Sequence, residues 1–248
     1  MTNRLLILAL WLGTINCGRA PEKREIHVAA AANLQTALAA VARDFASKTA
    51  IHVVPTIGAT AQLTQQIDNG APVDVFLAAD TEHVDQLVAE GVADPGSRAI
   101  YARGRLVLWA PQRPDIKSLA DLASPQVNQI GCARPELAPY GAAAIQALKK
   151  AGLWTAVEPK LVYGQSISAA KQYADSGNVA ASFTALSLVY DQHYILIDER
   201  LYNPIEQALC IVKQSTQAES ARRFCAFLLG EEGQAILAKY GYAKPSGQ

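Results

Sequence analysis

Hydrophobic and polar positions along the chain switch between two periods. Short apolar or β-branched runs at Ile26-His27-Val28, Ile51-His52-Val53-Val54 and Val73 to Ala78 read as strands. Each is followed by a segment whose apolar residues recur every three or four positions. Leu34, Leu38, Val41, Ala42 and Phe45 share one helix face; Leu63 and Ile67 another, in a helix closed by Gly70. Val84, Leu87 and Val88 form a third, in a helix capped by Asp80 and stopped at Gly91. The pattern restarts after Leu106-Val107-Leu108-Trp109. Strands at 129–133, 161–163 and 179–184 alternate with helices over 142–150 and 168–176, and Ser118 caps a short helical stretch over 119–123. Ala208 to Val212 returns to strand spacing, and helices over 215–228 and 231–240 finish the chain. Repeated strand–helix units predict an α/β protein with open, mostly parallel sheets covered by helices. Ligands of such sheets lie beyond the carboxyl ends of the strands.

The strands near 106 and 209 bracket the second set of units. That arrangement predicts one lobe inserted into another: lobe 1 over 21–105, lobe 2 over 106–207 and a return to lobe 1 over 208–248, with two crossing strands as the hinge. The first twenty residues differ in kind. Arg4, the apolar run Leu5 to Leu12 and the small-x-small site Gly18-Arg19-Ala20 predict an export signal over 1–20, too short in its apolar run to span a bilayer. Cys17 raises a lipid-anchored start, but Asn16 stands where a small residue normally precedes a lipidated cysteine, so soluble export is expected.

A chain of 248 residues, 50% hydrophobic, can bury one large core or two medium ones. Its 22 basic and 22 acidic side chains balance, which argues against a nucleic-acid footprint or a polybasic membrane patch. An anion bound here is bound without a bulk positive field. Cys132, Cys210 and Cys225 allow at most one bridge in the exported part; 210 with 225 is the conceivable pair, and unpaired buried thiols are the expected state. No cysteine or histidine has metal-ligand spacing, and Asp74 and Asp80 read as structural carboxylates, not a catalytic pair. No nucleophile elbow, P-loop or dinucleotide fingerprint is present, so no enzyme activity is expected.

Four turns resemble one another: Ala32-Asn33, Ala59-Thr60, Pro139-Tyr140-Gly141 and Ser166-Ile167. Each follows a strand and opens a helix, and two lie in each expected lobe. Read alone, Asn33 and Thr60 are helix caps and Tyr140 a turn aromatic. Read together, the four turns offer an amide, a hydroxyl and backbone N–H groups. Such a set of neutral donors suits a fully deprotonated oxyanion, because an anion that keeps a proton demands an acceptor as well.

Over residues 25 to 243 the chain resembles the periplasmic molybdate-binding proteins of ABC transporters. The resemblance is carried by Ala-Ala-Ala-Asn-Leu at 30–34, Gly-Ala-Thr-Ala-Gln-Leu at 58–63, Gly-Ala-Pro-Val-Asp-Val-Phe-Leu-Ala-Ala-Asp at 70–80, Pro-Glu-Leu-Ala-Pro-Tyr-Gly at 135–141 and Gly-Gln-Ser-Ile at 164–167. The ending Glu-Gly-Gln-Ala-Ile-Leu-Ala-Lys-Tyr-Gly-Tyr at 232–242 adds to it. It implies a type II periplasmic binding protein, two βα lobes with mixed, mostly parallel sheets and a two-strand hinge. Such a protein closes on molybdate or tungstate and delivers it to a membrane permease, as a monomer, without a cofactor and with molybdenum held only as the oxyanion. By this resemblance Asn33 and Thr60 match side-chain ligands, and Tyr140 and Ile167 match positions that donate backbone amides. Ala32 would lie against the anion. Two positions depart from the family pattern: Ala185 stands where some members have a donor Tyr, leaving Thr184 or Ser187 as substitutes, and Arg134 stands where a small or acidic residue is usual. The alternatives are a receptor for another tetrahedral oxyanion such as sulfate, or an exported enzyme on the same two-lobe fold.

Overall fold

The computed structural model describes residues 24–245; the expected export signal and Cys17 lie outside them. The chain opens with β1 (Arg24–Ala31), α1 (Gln35–Thr49), β2 (Ile51–Gly58), α2 (Thr60–Asp68), β3 (Val75–Leu77), α3 (Glu82–Ala89) and β4 (Ala99–Gly104). It continues with β5 (Leu106–Trp109), β6 (Ile130–Ala133), α4 (Pro139–Lys150), α5 (Trp154–Val157), β7 (Leu161–Gly164), α6 (Ile167–Asp175), β8 (Ala181–Ala185) and β9 (Ile195–Leu196). It closes with β10 (Ile205–Ile211), α7 (Ala218–Leu229) and α8 (Glu231–Lys239).

These strands make two five-stranded sheets, ordered β2-β1-β3-β10-β4 and β7-β6-β8-β5-β9. In the first, β1 runs parallel to β2 and β3, while β10 is antiparallel to both β3 and β4. In the second, β6 runs parallel to β7 and β8, while β5 is antiparallel to β8 and β9. The protein is therefore a two-lobe α/β structure with mixed sheets. Two-residue β9 had no counterpart in the sequence reading, because a period of two needs more residues than it has.

The sheets are covered on both faces, which is why the inner strands β3, β5 and β6 are apolar throughout and do not alternate. Ile26, Val28 and Ala30 of β1 face a cluster built with α1, α7 and α8, where Phe45 meets Phe224 edge-on at 5.3 Å between ring centres. Ala29 faces the opposite cluster, with Leu63, Ile67, Val84 and Leu87 of α2 and α3. The glycines expected to stop those two helices, Gly70 and Gly91, adopt φ of +83° and +77°, a conformation that a side chain at either position would strain.

Among the described residues the three cysteines, Cys132, Cys210 and Cys225, are buried and unpaired. Cys210 belongs to the α2/α3 side of the first sheet and Cys225 to the α1/α7/α8 side, so the pair conceivable from sequence is separated by the sheet. Burial pushes each of the three thiols up to about 12, leaving them inert at neutral pH.

The chain leaves the first lobe at Gly104, enters the second at Leu106 and returns into β10 at Ile205. The two crossing segments are tied together. Leu106 N–H donates to Tyr202 Oη at 3.1 Å, and Arg105 Nε donates to Glu199 Oε1 at 2.9 Å.

Candidate functional site

Three helices and one 3-10 turn aim their N-termini at a single point between the lobes. The 3-10 turn Ala32–Leu34 follows β1, α2 follows β2, α4 follows β6 and α6 follows β7. A helix cannot satisfy its own first-turn N–H groups, so each start presents donors and a positive dipole end. At α4 the first position is Pro139, which has no N–H, so the first amide on offer is that of Tyr140. At α6, Ser166 caps by accepting from Ala169 N–H at 3.2 Å, and Ile167 is the first helical residue.

All five residues expected at the site lie here. Ala32, Asn33, Thr60, Tyr140 and Ile167, with Ala31, Gly58, Ala59, Ala79, Ala138 and Pro139, line one cavity of ≈ 10 Å³. No charged side chain is among them. Pockets for organic ligands run from about 300 Å³ upward, so this one has the size of a small ion. A larger open cleft of ≈ 930 Å³ adjoins it and shares Ala79, Ala138 and Pro139, but its charged lining is mostly acidic, Asp80, Glu82, Glu136 and Glu206 against Arg98 and His83. That acidic wall repels an anion, so the small neutral cavity is the better anion site.

Asn33 and Thr60 do not play the capping roles that each would have alone. The start of the first helix has no side-chain cap; Asn33 is only 1% exposed, and its Nδ2 donates to Gln207 Oε1 at 3.0 Å and Tyr242 Oη at 2.9 Å. Its Oδ1 is buried without a hydrogen-bond partner. Thr60 is the first helical residue of α2, and its Oγ1 accepts from Ala79 N–H at 3.3 Å. With the acceptor side of the hydroxyl occupied, its proton is available to the cavity. Asp80 supports α3 from just outside it: Oδ1 accepts from His83 N–H at 3.1 Å.

Beneath the cavity runs a buried polar chain. Gln207, fully enclosed, has its Nε2 2.9 Å from Tyr140 Oη; Tyr101 Oη, with one proton to give, lies 2.9 Å from Ala78 O and 2.8 Å from Gln207 Oε1. Tyr242 Oη donates to Asn33 O at 3.0 Å, and Ser187 Oγ donates to the same carbonyl at 2.8 Å. Burial raises the phenols of Tyr101 and Tyr140 well above their ordinary range, so the chain is uncharged at neutral pH. The sequence reading missed Gln207, Tyr101 and Tyr242. They stand 174, 68 and 209 positions along the chain from Asn33, and nothing local marks them.

The departures from the family pattern also have places. Ala185 ends β8, fully buried and outside the cavity lining; Thr184 Oγ1 is buried without a partner, and Ser187 is committed to Asn33 O. Neither substitute donor lines the cavity. Arg134 is exposed and lines neither the cavity nor the cleft. Among the described residues no group of three or more His, Cys, Asp or Glu could hold a metal ion.

Two α/β lobes on a two-segment hinge, with an ion-sized cavity lined from both, define a two-lobe solute-binding protein. The chain belongs to the family of bacterial extracellular solute-binding proteins, which matches residues 26–243. It is 36% identical to the molybdate-binding protein ModA of Azotobacter vinelandii over 244 residues, 96% of each chain. It is likewise 36% identical to the molybdate-binding protein ModA of Rhodobacter capsulatus over 221 residues, 88% of each. Among solved structures, the Azotobacter vinelandii periplasmic molybdate-binding protein superposes with a TM-score of 0.84 at 32% identity, covering 89% of this chain and 100% of that one.

Proposed function

We propose that this protein is a periplasmic receptor that captures molybdate or tungstate between its lobes and delivers it to the permease of an ABC transporter. The observation that carries this reading is the cavity itself. The neutral amide of Asn33 and hydroxyl of Thr60 from one lobe, and first-turn amides of Tyr140 and Ile167 from the other, surround a space for one small ion, with Ala32 against it. Each charge-assisted bond contributes about 1.5–3 kcal/mol, so a handful drawn from two lobes binds tightly and holds the lobes together. The names of the relatives support molybdate in particular. The protein acts as a monomeric carrier, not an enzyme, exported by the signal over 1–20.

Fixed donors also give a size rule. Placed for the longer metal–oxygen bonds of molybdate and tungstate, they cannot all reach the oxygens of sulfate, and they offer no acceptor for the proton of hydrogen phosphate. Calorimetric titration of the purified protein with molybdate, tungstate, sulfate and phosphate tests the reading. Tight binding of the first two and weak binding of the others is expected; absence of tight molybdate or tungstate binding overturns it.

A further inference from the structure

The polar chain beneath the cavity contains two mismatches that resolve together. Tyr101 has one hydroxyl proton and faces two acceptors, Ala78 O at 2.9 Å and Gln207 Oε1 at 2.8 Å. At the far end, Asn33 Oδ1 is buried with no partner, in a side chain 1% exposed. The Asn33 Nδ2 faces Gln207 and Tyr242, neither of which lines the cavity, so Oδ1 is the amide atom turned toward the cavity. An acceptor in that position repels an oxyanion.

We propose that Gln207 is a positioning residue that sets the polarity of the Asn33 amide, so that nitrogen and not oxygen faces the bound anion. Amide nitrogen and oxygen are nearly equal in size, and a half-turn about the last side-chain bond exchanges them without moving their neighbours. The backbone carbonyl of Ala78 can only accept. Tyr101 therefore gives it its one proton, and its oxygen accepts from Gln207, which makes the Gln207 atom at 2.8 Å the nitrogen. That same nitrogen lies 3.0 Å from Asn33, so the Asn33 atom it meets is Oδ1; Tyr242 Oη, 2.9 Å away, turns its one proton from Asn33 O to this oxygen, and Asn33 O keeps the bond from Ser187 Oγ at 2.8 Å. Asn33 Nδ2 then turns to the cavity. The oxygen of Gln207 accepts from Tyr140 Oη at 2.9 Å. With both amides turned, the buried groups of the chain meet complementary partners, as such groups do in folded proteins.

The order of dependence runs from Ala78 O through Tyr101 and Gln207 to Asn33. A main-chain carbonyl cannot invert, so it anchors the polarity of a side chain in the binding site. The arrangement also selects the protonation state of the ligand, since a cavity of donors alone rejects an anion that keeps a proton. This inference rests on the oxyanion reading above, but its first test does not.

In the unliganded natural chain labelled with nitrogen-15, nuclear Overhauser contacts of the Gln207 side-chain NH2 protons are expected to the ring of Tyr101. Contacts to the ring of Tyr140 in their place overturn the proposal whatever the protein binds. The second test is a calorimetric cycle with molybdate. Gln207→Met, of similar length but without donor or acceptor, is expected to weaken binding about tenfold, the value of one charge-assisted donor. In an Asn33→Ser background the hydroxyl rotates freely and has no polarity to be set, and there the same change is expected to cost less than about twofold. Equal losses in both backgrounds make Gln207 a packing residue and overturn the proposal. A natural chain that takes up neither molybdate nor tungstate defeats the function reading, while the Overhauser contacts still decide the amide polarity.

Discussion

Asn33 contributes to the cavity because it is not needed by the helix it precedes. The 3-10 turn Ala32–Leu34 leads directly into α1 without a side-chain cap, which leaves the amide to Gln207, Tyr242 and the cavity. Asn33→Ala is expected to weaken molybdate binding by at least about 1 kcal/mol, read by calorimetry, since one donor is lost and no charge changes. The cavity lining holds no carboxylate, imidazole or amine, and the phenol of Tyr140 is raised by burial. Molybdate affinity is accordingly expected to stay flat between about pH 6 and pH 9, the range in which no lining group changes charge; a slope in that interval would place a titrating side chain at the site. His83 behaves differently. Its Nδ1 lies 2.8 Å from Asp80 Oδ2, and that hydrogen bond raises the imidazole above its ordinary 6.5. The pair therefore adds stability that is complete below pH 6.5 and is lost as the pH climbs through the raised value. Urea midpoints of the natural chain and His83→Gln should differ most in mild acid and converge in alkali.

Elements act here through their ends. The first turns of α2, α4 and α6 surround the cavity, and the β strands that precede them set where those turns fall. Close approach of α4 to β6 depends on Gly141: a Cβ there would sit 2.3 Å from Ala133 O, a backbone atom that cannot yield. Gly141→Ala is expected to lower stability by about 1–3 kcal/mol, seen as a lower urea midpoint, and to weaken the anion by displacing the neighbouring Tyr140 amide. At this scale most elements were legible beforehand. The runs at 26–28 and 51–54 and the helix face of Leu34, Leu38, Val41 and Phe45 are strong local signals. The glycine stops at 70 and 91 were legible for the same reason. β1 and β2 proved longer than their apolar runs, because the parallel pairing from Arg24↔Ile51 to Ala31↔Gly58 extends the ladder through residues whose own pattern is neutral.

The whole molecule adds contacts between lobes that neither lobe has alone. Ala61 N–H donates to Leu137 O at 3.2 Å, Ser187 Oγ to Asn33 O at 2.8 Å, and Gln62 Nε2 to Gln165 Oε1 at 3.5 Å. The Tyr190 and Tyr240 rings, 4.5 Å apart, and the Gln207–Tyr140 bond add to them, and an anion held by both lobes adds further to that balance. Molybdate at a thousandfold excess over its Kd is expected to stabilise the protein by about 4 kcal/mol, measured as a shift of the thermal midpoint, with sulfate giving far less. The alternation of strand and helix, the two sets of units and the bracketing strands near 106 and 209 were set by local periodicity, since each needs only residues a few positions apart. So were the four turns, whose chemistry is written in adjacent residues. Tertiary structure alone decided that those turns meet in one small cavity, that the return strand brings Gln207 beneath it, and that Tyr101, Tyr242 and Ser187 complete the polar chain. Partners separated by more than a hundred residues leave no periodic trace, and only the packing of two sheets across a hinge brings them within hydrogen-bond reach.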